Sequence, residues 1–327
     1  MRERLLHSVL EEIKKIGIIP VIKIDDAEKA VPLARALIAG GIPCAEITFR
    51  TAQGEKAIAA INKEAPGILL GAGTVLTSDQ VDRAIAAGAR FIVSPGFSSK
   101  VVSRCIEKGI PVTPGCSNPS DIEMALDMGL EVVKFFPAEQ AGGLEYIKAI
   151  AAPYSSVSFI PTGGINAQNI GKYIAYEKVL ACGGSWMVNA ELINSGNFEK
   201  ISSLCREALM SLLGFQVVRV GINSENDEAA LKTANVFSSL FGIQSVAGDS
   251  SIFAGDIIEI MKSSFYGKNG RITIATNSVF RAMAYFTRAG IEFKSESIKT
   301  DSKGNPSAAY FKEEIGGYAI CLINRKN

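Results

Sequence analysis

The residues with the most chemical promise are charged side chains set inside apolar runs. Lys134 lies in Val132-Val133-Lys134-Phe135-Phe136-Pro137, with two apolar residues on each side. In the run Cys44–Arg50, strand alternation puts Glu46, Thr48 and Arg50 on one face, with Ala45, Ile47 and Phe49 on the other. Hydrocarbon surroundings disfavour an ammonium ion, and a neutral lysine amine adds to a carbonyl carbon to give an imine, which then withdraws electrons. A carboxylate beside such an amine can move protons on and off the adduct and the substrate. Glu46, Arg50 and Lys134 therefore read as an imine-forming site, the alternative being a buried structural ion-pair network. Lys23 competes for the nucleophile's role, but its neighbours Asp25 and Asp26 favour a solvated or ion-paired lysine. His7, on an amphipathic N-terminal segment, reads as a surface or packing residue.

Two glycine-rich turns suit an anion. Pro161-Thr162-Gly163-Gly164 and Cys182-Gly183-Gly184-Ser185 end two of the apolar runs. Glycine lets backbone N–H groups approach phosphate oxygens, and Ser185 adds a hydroxyl donor. Gly71-Ala72-Gly73-Thr74 ends another run and could set Thr74 and bare backbone around a carboxylate, with Arg50 as the fork. Tight turns and close backbone packing are the bland uses of the same glycines.

These side chains need elements to hold them. Eight short apolar runs alternate with helical patterns between Gly17 and Trp186: Ile18–Ile24, Cys44–Arg50, Leu69–Val75, Phe91–Gly96, Pro111–Cys116, Val132–Pro137, Ser158–Gly163 and Val179–Ser185. Helical patterns end in glycine before the next run, as at Gly88, Gly109 and Gly129. Near-continuous apolar strands are those of a parallel sheet covered on both faces, and eight βα units close naturally into a (β/α)₈ TIM barrel. A doubly wound open sheet is the alternative, but no G-x-G-x-x-G follows the first run, and the glycine turns follow the seventh and eighth, where barrels commonly bind phosphate.

After the helical segment Phe198–Leu213 the texture changes. Val218, Val220 and Ile222 alternate with polar or small residues; Leu231, Ala234, Phe237 and Leu240 mark an amphipathic helix; Ser251–Ala254 and Asp256–Met261 follow as strands. The order recurs with strand Arg271–Thr276, helix Ser278–Ala289, and strands Phe293–Ile298, Ala308–Lys312 and Tyr318–Ile323. The expected organisation is a first domain over 1–213 and an α+β domain over 214–327.

Composition excludes several classes. The 327 residues are 47% hydrophobic and 20% charged, with 34 basic against 33 acidic side chains. A balance of +1 supplies no field for nucleic acid or an anionic lipid surface, so neither is expected as a partner. No apolar run is long enough for a membrane span. The 6 cysteines are scattered without a C-x-x-C pair and the chain has 1 histidine, so no metal site is expected and a reducing cytoplasm is the simplest address.

In order along residues 1–213, the chain closely resembles the 2-keto-3-deoxy-6-phosphogluconate (KDPG) and 4-hydroxy-2-oxoglutarate (KHG) aldolases. The resemblance rests on Ile19-Pro20-Val21-Ile22, Glu46-Ile47-Thr48-Phe49-Arg50-Thr51, Gly71-Ala72-Gly73-Thr74-Val75, Ser94-Pro95-Gly96, Val133-Lys134-Phe135-Phe136-Pro137-Ala138-Glu139, Pro161-Thr162-Gly163-Gly164-Ile165 and Gly183-Gly184-Ser185-Trp186. It implies a class I aldolase acting on a phosphorylated or dicarboxylic 2-keto acid, without metal or other cofactor, and a homotrimer. Lys134 would form the Schiff base and Glu46 would be the general acid/base. Arg50 with Thr74 would hold the carboxylate, Thr162 would line the channel, and Gly163, Gly164, Gly184 and Ser185 would hold phosphate. Asn118 departs from the family's usual threonine. By element order alone, residues 214–327 resemble the glyoxalase or vicinal-oxygen-chelate fold. That fold's metal-dependent members use histidine and glutamate ligands, and here Glu259 stands without an evident partner set. A small-molecule sensor or assembly module is the other reading of this segment, and a noncatalytic scaffold the other reading of the whole chain.

Overall fold

The computed structural model describes residues 2–325, apart from the side chains of residues 2–7, so the expectation for the His7 side chain falls outside the described residues. The chain divides into two compact units, Met1–Leu212 and Leu213–Asn327.

The first unit opens with α1 (Arg2–Ile16) and continues through β1 (Ile18–Ile22), α2 (Ala30–Ala39), β2 (Cys44–Thr48), α3 (Gly54–Glu64), β3 (Leu69–Gly73) and α4 (Ser78–Ala87). Next come β4 (Phe91–Val93), α5 (Ser99–Lys108), β5 (Val112–Thr113), α6 (Pro119–Asp127), β6 (Val132–Phe135) and α7 (Gly143–Ala151). It ends with β7 (Ser158–Pro161), α8 (Ile170–Ile174), β8 (Cys182–Gly184), α9 (Ala190–Asn194) and α10 (Phe198–Leu213). Each of the eight expected strands is present but shorter, most of them trimmed at the C-terminal end, where glycine, proline and polar residues leave the ladder and form loops, and the fifth and eighth shortened at the N-terminal end as well.

The strands are parallel. One sheet runs β5-β4-β3-β2-β1-β8 and a second pairs β6 with β7. Bridges from Gly115 to Lys134, and from Phe159 to Val179 and Thr162 to Gly183, join the two at both seams. Parallel sheets need cover on both faces, and the side chains show it: Ile18, Ile22, Ala45, Ile47, Ala72, Ile92, Val133 and Phe159 are fully buried. Phe135 stacks on Tyr146 of α7, which fixes one face of β6 toward the helices and turns Lys134 to the opposite face. Helix ends obey local chemistry. Thr77 accepts a hydrogen bond from Gln80 N at the start of α4, and Gly88 closes that helix at φ 108°, a conformation that favours glycine.

The second unit contains β9 (Gln216–Asn223), α11 (Asp227–Phe241), β10 (Ser245–Ala247), β11 (Ser251–Ala254) and β12 (Ile258–Met261). After them come β13 (Gly270–Thr276), α12 (Val279–Arg288), β14 (Lys299–Thr300), β15 (Pro306–Tyr310) and β16 (Tyr318–Asn324). They form one sheet in the order β10-β11-β12-β9-β13-β16-β15-β14. The two halves mirror one another: β9 pairs parallel to β12 and β13 parallel to β16, while β9 and β13 run antiparallel at the centre. Three details differ from the sequence reading, the first being the short strand β14, which was not expected. The expected strand Phe293–Ile298 is instead a 3₁₀ turn at Ser295–Ser297, with Phe293 in a single bridge to Phe311. The turn is fixed by Ser297, whose hydroxyl and N–H both donate to Lys294 O. Strand β10 was not expected, because its three exposed residues, Ser245, Val246 and Ala247, carry no alternation.

Candidate active site

The two residues singled out for imine chemistry meet. Lys134 Nζ lies 3.7 Å from Glu46 Oε1, with side-chain exposures of 8% and 3%. The separation is that of an ion pair and exceeds a hydrogen bond. Glu46 Oε1 is buried and has no hydrogen-bond partner. Leaving a buried carboxylate oxygen unsatisfied costs about 1–3 kcal/mol or more, so the arrangement spends stability to keep an acceptor open beside the amine. The ring of Phe136 sits 5.3 Å from Lys134 Nζ and forms a wall for it.

Glycine makes room for this pair, a contribution not visible in the sequence. A Cβ at Gly73, which is in register with Thr48 on the neighbouring strand, would fall 2.1 Å from Glu46 Oε1. The glutamate thus occupies the space that a side chain on β3 would fill. Thr48 supplies a second anchor: its hydroxyl donates to Ile22 O at 2.8 Å and accepts from Arg50 Nε at 3.2 Å.

Arg50 departs from the sequence reading. Strand β2 ends at Thr48, so strand parity no longer governs residue 50, which is exposed. The guanidinium folds back on Thr48, and no hydrogen bond or ion pair joins it to Lys134 or Glu46. Its expected place inside the ring beside the lysine is therefore corrected to the rim. Thr74 follows β3 at φ 56° and is the positive-φ residue other than glycine among those described. Such backbone is unfavourable for a β-branched side chain, and functional turns are where it concentrates. Lys23 pairs with Asp25 at 2.8 Å in an exposed position, as its acidic neighbours suggested, and that contact holds the Asp25 carboxyl below its ordinary value.

The glycine turns after β7 and β8 lie side by side. Thr162 is buried and bridges to Gly183, where a Cβ would strike the threonine hydroxyl at 2.3 Å. Gly163 and Gly164 take φ of 100° and 78°, and Ala138 N and Glu139 N donate to Thr162 O and Gly163 O, tying this turn to the one after β6. The bridge to Gly183 engages Gly163, whereas among the described residues the N–H groups of Gly164 and Ser185 have no acceptor. Gly184 lies beneath the Trp186 ring, 2.0 Å from where its Cβ would stand, and Ser185 is exposed. The result is a patch of bare N–H donors with one hydroxyl, which is what an oxyanion requires. Asn118 serves a local purpose: its side chain accepts from Asp121 N and caps α6.

A parallel α/β scaffold that buries a lysine against a carboxylate, with donor-rich glycine turns nearby, has the organisation of a class I, imine-forming carbon–carbon lyase. Comparison with known proteins gives the family. The sequence pattern described as KDPG and KHG aldolase matches residues 9–204. A 2-dehydro-3-deoxy-phosphogluconate aldolase of Treponema pallidum is 50% identical over 202 residues, 62% of this chain and 96% of that protein. The KHG/KDPG aldolase of Escherichia coli K12 is 44% identical over 192 residues, 59% of this chain and 90% of its own. Among solved structures, KDPG aldolase from Legionella pneumophila, with pyruvate captured as a covalent carbinolamine intermediate, matches at a TM-score of 0.57 and 42% identity, covering 59% of this chain and 93% of that one. The aldolase of Zymomonas mobilis ZM4 with 3-phosphoglycerate also matches at a TM-score of 0.57, with 39% identity, 61% of this chain and 94% of its own. This chain belongs to the KDPG and KHG aldolase family.

Proposed function

We propose that the protein is a class I aldolase that cleaves 2-keto-3-deoxy-6-phosphogluconate to pyruvate and glyceraldehyde 3-phosphate, or 4-hydroxy-2-oxoglutarate to pyruvate and glyoxylate. The observation that carries this reading is the buried Lys134–Glu46 pair with an open carboxylate oxygen. Lys134 Nζ adds to the C2 carbonyl, and loss of water leaves a protonated imine. Glu46 takes the proton of the C4 hydroxyl, the C3–C4 bond breaks, and its electron pair runs into the imine to give an enamine as the aldehyde departs. A proton returned to C3 and hydrolysis of the imine release pyruvate and restore the amine.

In this reading Arg50 and Thr74 at the rim hold the substrate carboxylate and Thr162 lines the approach. The N–H groups of Gly164 and Ser185 and the Ser185 hydroxyl, in the turns built by Gly163 and Gly184, receive the phosphate or second carboxylate. The strand pairings support a closed (β/α)₈ barrel, since the bridges at both seams carry the pairing round from β5 to β6 and from β7 to β8. A homotrimeric, cytoplasmic enzyme completes the family reading; among the described residues no helix is long and apolar enough to cross a membrane. The mirrored halves of the second unit favour a vicinal-oxygen-chelate-like pair of modules acting as a small-molecule sensor or assembly module.

Borohydride added with pyruvate is expected to leave a stable adduct on the Lys134 peptide, read by mass spectrometry. Lys134→Ala should show neither adduct nor cleavage. Full aldolase activity in that variant would overturn the assignment.

A further inference from the structure

The second unit buries a charge cluster that the aldolase chemistry does not use. Its sheet has two unlike faces. Ile252, Ala254 and Ile260 pack with Ala230 and Ala234 of α11. Alternation therefore sends Ser251, Phe253 and Glu259 to the opposite face. There Glu259, 5% exposed, accepts from Ser251 Oγ at 3.0 Å through Oε1, and its Oε2 takes Arg271 Nη2 at 2.5 Å and Arg219 Nη1 at 3.5 Å. Arg219 on β9 and Arg271 on β13 hold corresponding positions in the two halves. Arg219 pairs with Thr273 and Arg271 with Gly221, so the central antiparallel pair brings both guanidiniums to Glu259.

The cluster is not neutral. Two guanidiniums face one carboxylate, both of whose oxygens are already engaged. The Nε of Arg219 and the Nε of Arg271 are each buried without a hydrogen-bond partner. Excess positive charge in a partly buried cluster is unfavourable, and each orphan N–H adds to the cost. Tyr310 offers no charge in compensation, because burial pushes its hydroxyl up to about 12. Aromatic rings flank the two arginines: Arg219 lies 5.1 Å from the Phe253 ring centroid and Arg271 lies 5.3 Å from that of Phe265. Tyr266 packs on both Phe265 and Tyr310, with Lys294 Nζ 4.5 Å from its ring centroid.

We infer that Arg219 and Arg271, walled by Phe253, Phe265, Tyr266 and Tyr310, form a second anion site that takes a small planar organic carboxylate. The excess positive charge calls for a monoanion. Guanidinium already grips a carboxylate here in Glu259, and flat aromatic walls match a planar acid better than a tetrahedral phosphate.

Calorimetric titration of the full chain with benzoate, which has no ketone and cannot form an imine, tests the site. Inorganic phosphate is titrated alongside. One benzoate per chain is expected, weakened at least about tenfold in Arg219→Met and in Arg271→Met and retained in part by Arg219→Lys. Arg219 is the more exposed of the two, so its variant stays informative if Arg271→Met, which strips Glu259 of its nearer partner, fails to fold. Three results overturn the inference: no saturable benzoate binding, binding of phosphate alone, or binding that survives Arg219→Met and disappears in Arg50→Ala. The last would place the anion in the first unit. Because neither arginine belongs to the aldolase site, failure here leaves the Schiff-base reading untouched.

Discussion

At the scale of single residues, Lys134 and Glu46 were legible because charge inside an apolar strand is costly and therefore purposeful. What could not be read was the state of each oxygen. Glu46 Oε1 has no hydrogen-bond donor, and in the proposed reaction that open position receives the proton of the C4 hydroxyl. Glu46→Gln keeps the volume and removes the base. We expect kcat to fall about 10²–10⁴-fold while the melting temperature stays close to the parent's. The checks are steady-state pyruvate release and thermal unfolding, and an unchanged kcat would strip Glu46 of its role. Arg50 shows the limit of parity at this scale. Alternation holds only while the backbone stays extended, and the strand ends two residues earlier, so the side chain turns to Thr48 at the rim.

At the scale of elements, the eight parallel strands were readable as apolar runs punctuated by glycine-capped helices, and their pairing follows the order of the chain. In the second unit, the recurring element order predicts a strand at Phe293–Ile298, but Ser297 bonds back to Lys294 O and Tyr310 N donates to the Ser297 hydroxyl, which favours a turn. The glycines of Gly71-Ala72-Gly73-Thr74 suggest bare backbone around a carboxylate, or else close packing against an unnamed neighbour. The structure answers for Gly73, whose missing Cβ is the space occupied by Glu46. Gly73→Ala should push the carboxylate away from Lys134. The expected result is a loss of about 1–3 kcal/mol in urea unfolding together with a much larger fall in kcat than that destabilisation explains. A variant destabilised to that extent but fully active would mean that the carboxylate has other room, and that the strand glycine serves packing alone.

At the scale of the molecule, the division at Leu212 and Leu213 separates two units with different logics. The first holds its charge pair at the heart of a parallel sheet. The second collects charge on the face of its mixed sheet opposite α11, an arrangement that no motif announces, because Arg219, Glu259 and Arg271 come together only through strand pairing across 52 residues of sequence, from 219 to 271. The relative from Treponema pallidum is matched over 96% of its length by 202 residues of this chain, so the family's chemistry needs no more than the first unit supplies. Every residue assigned to imine formation, carboxylate binding and phosphate binding also lies before residue 213. Residues 1–213, ending with the intact α10, are therefore expected to fold and to retain the kcat and KM of the full chain. Circular dichroism and a coupled dehydrogenase assay check the two halves of that statement. A folded fragment whose activity drops by about tenfold or more would make the second unit part of the catalytic apparatus, worth about 1.4 kcal/mol of transition-state stabilisation. An unchanged fragment leaves that unit free to answer to a ligand of its own.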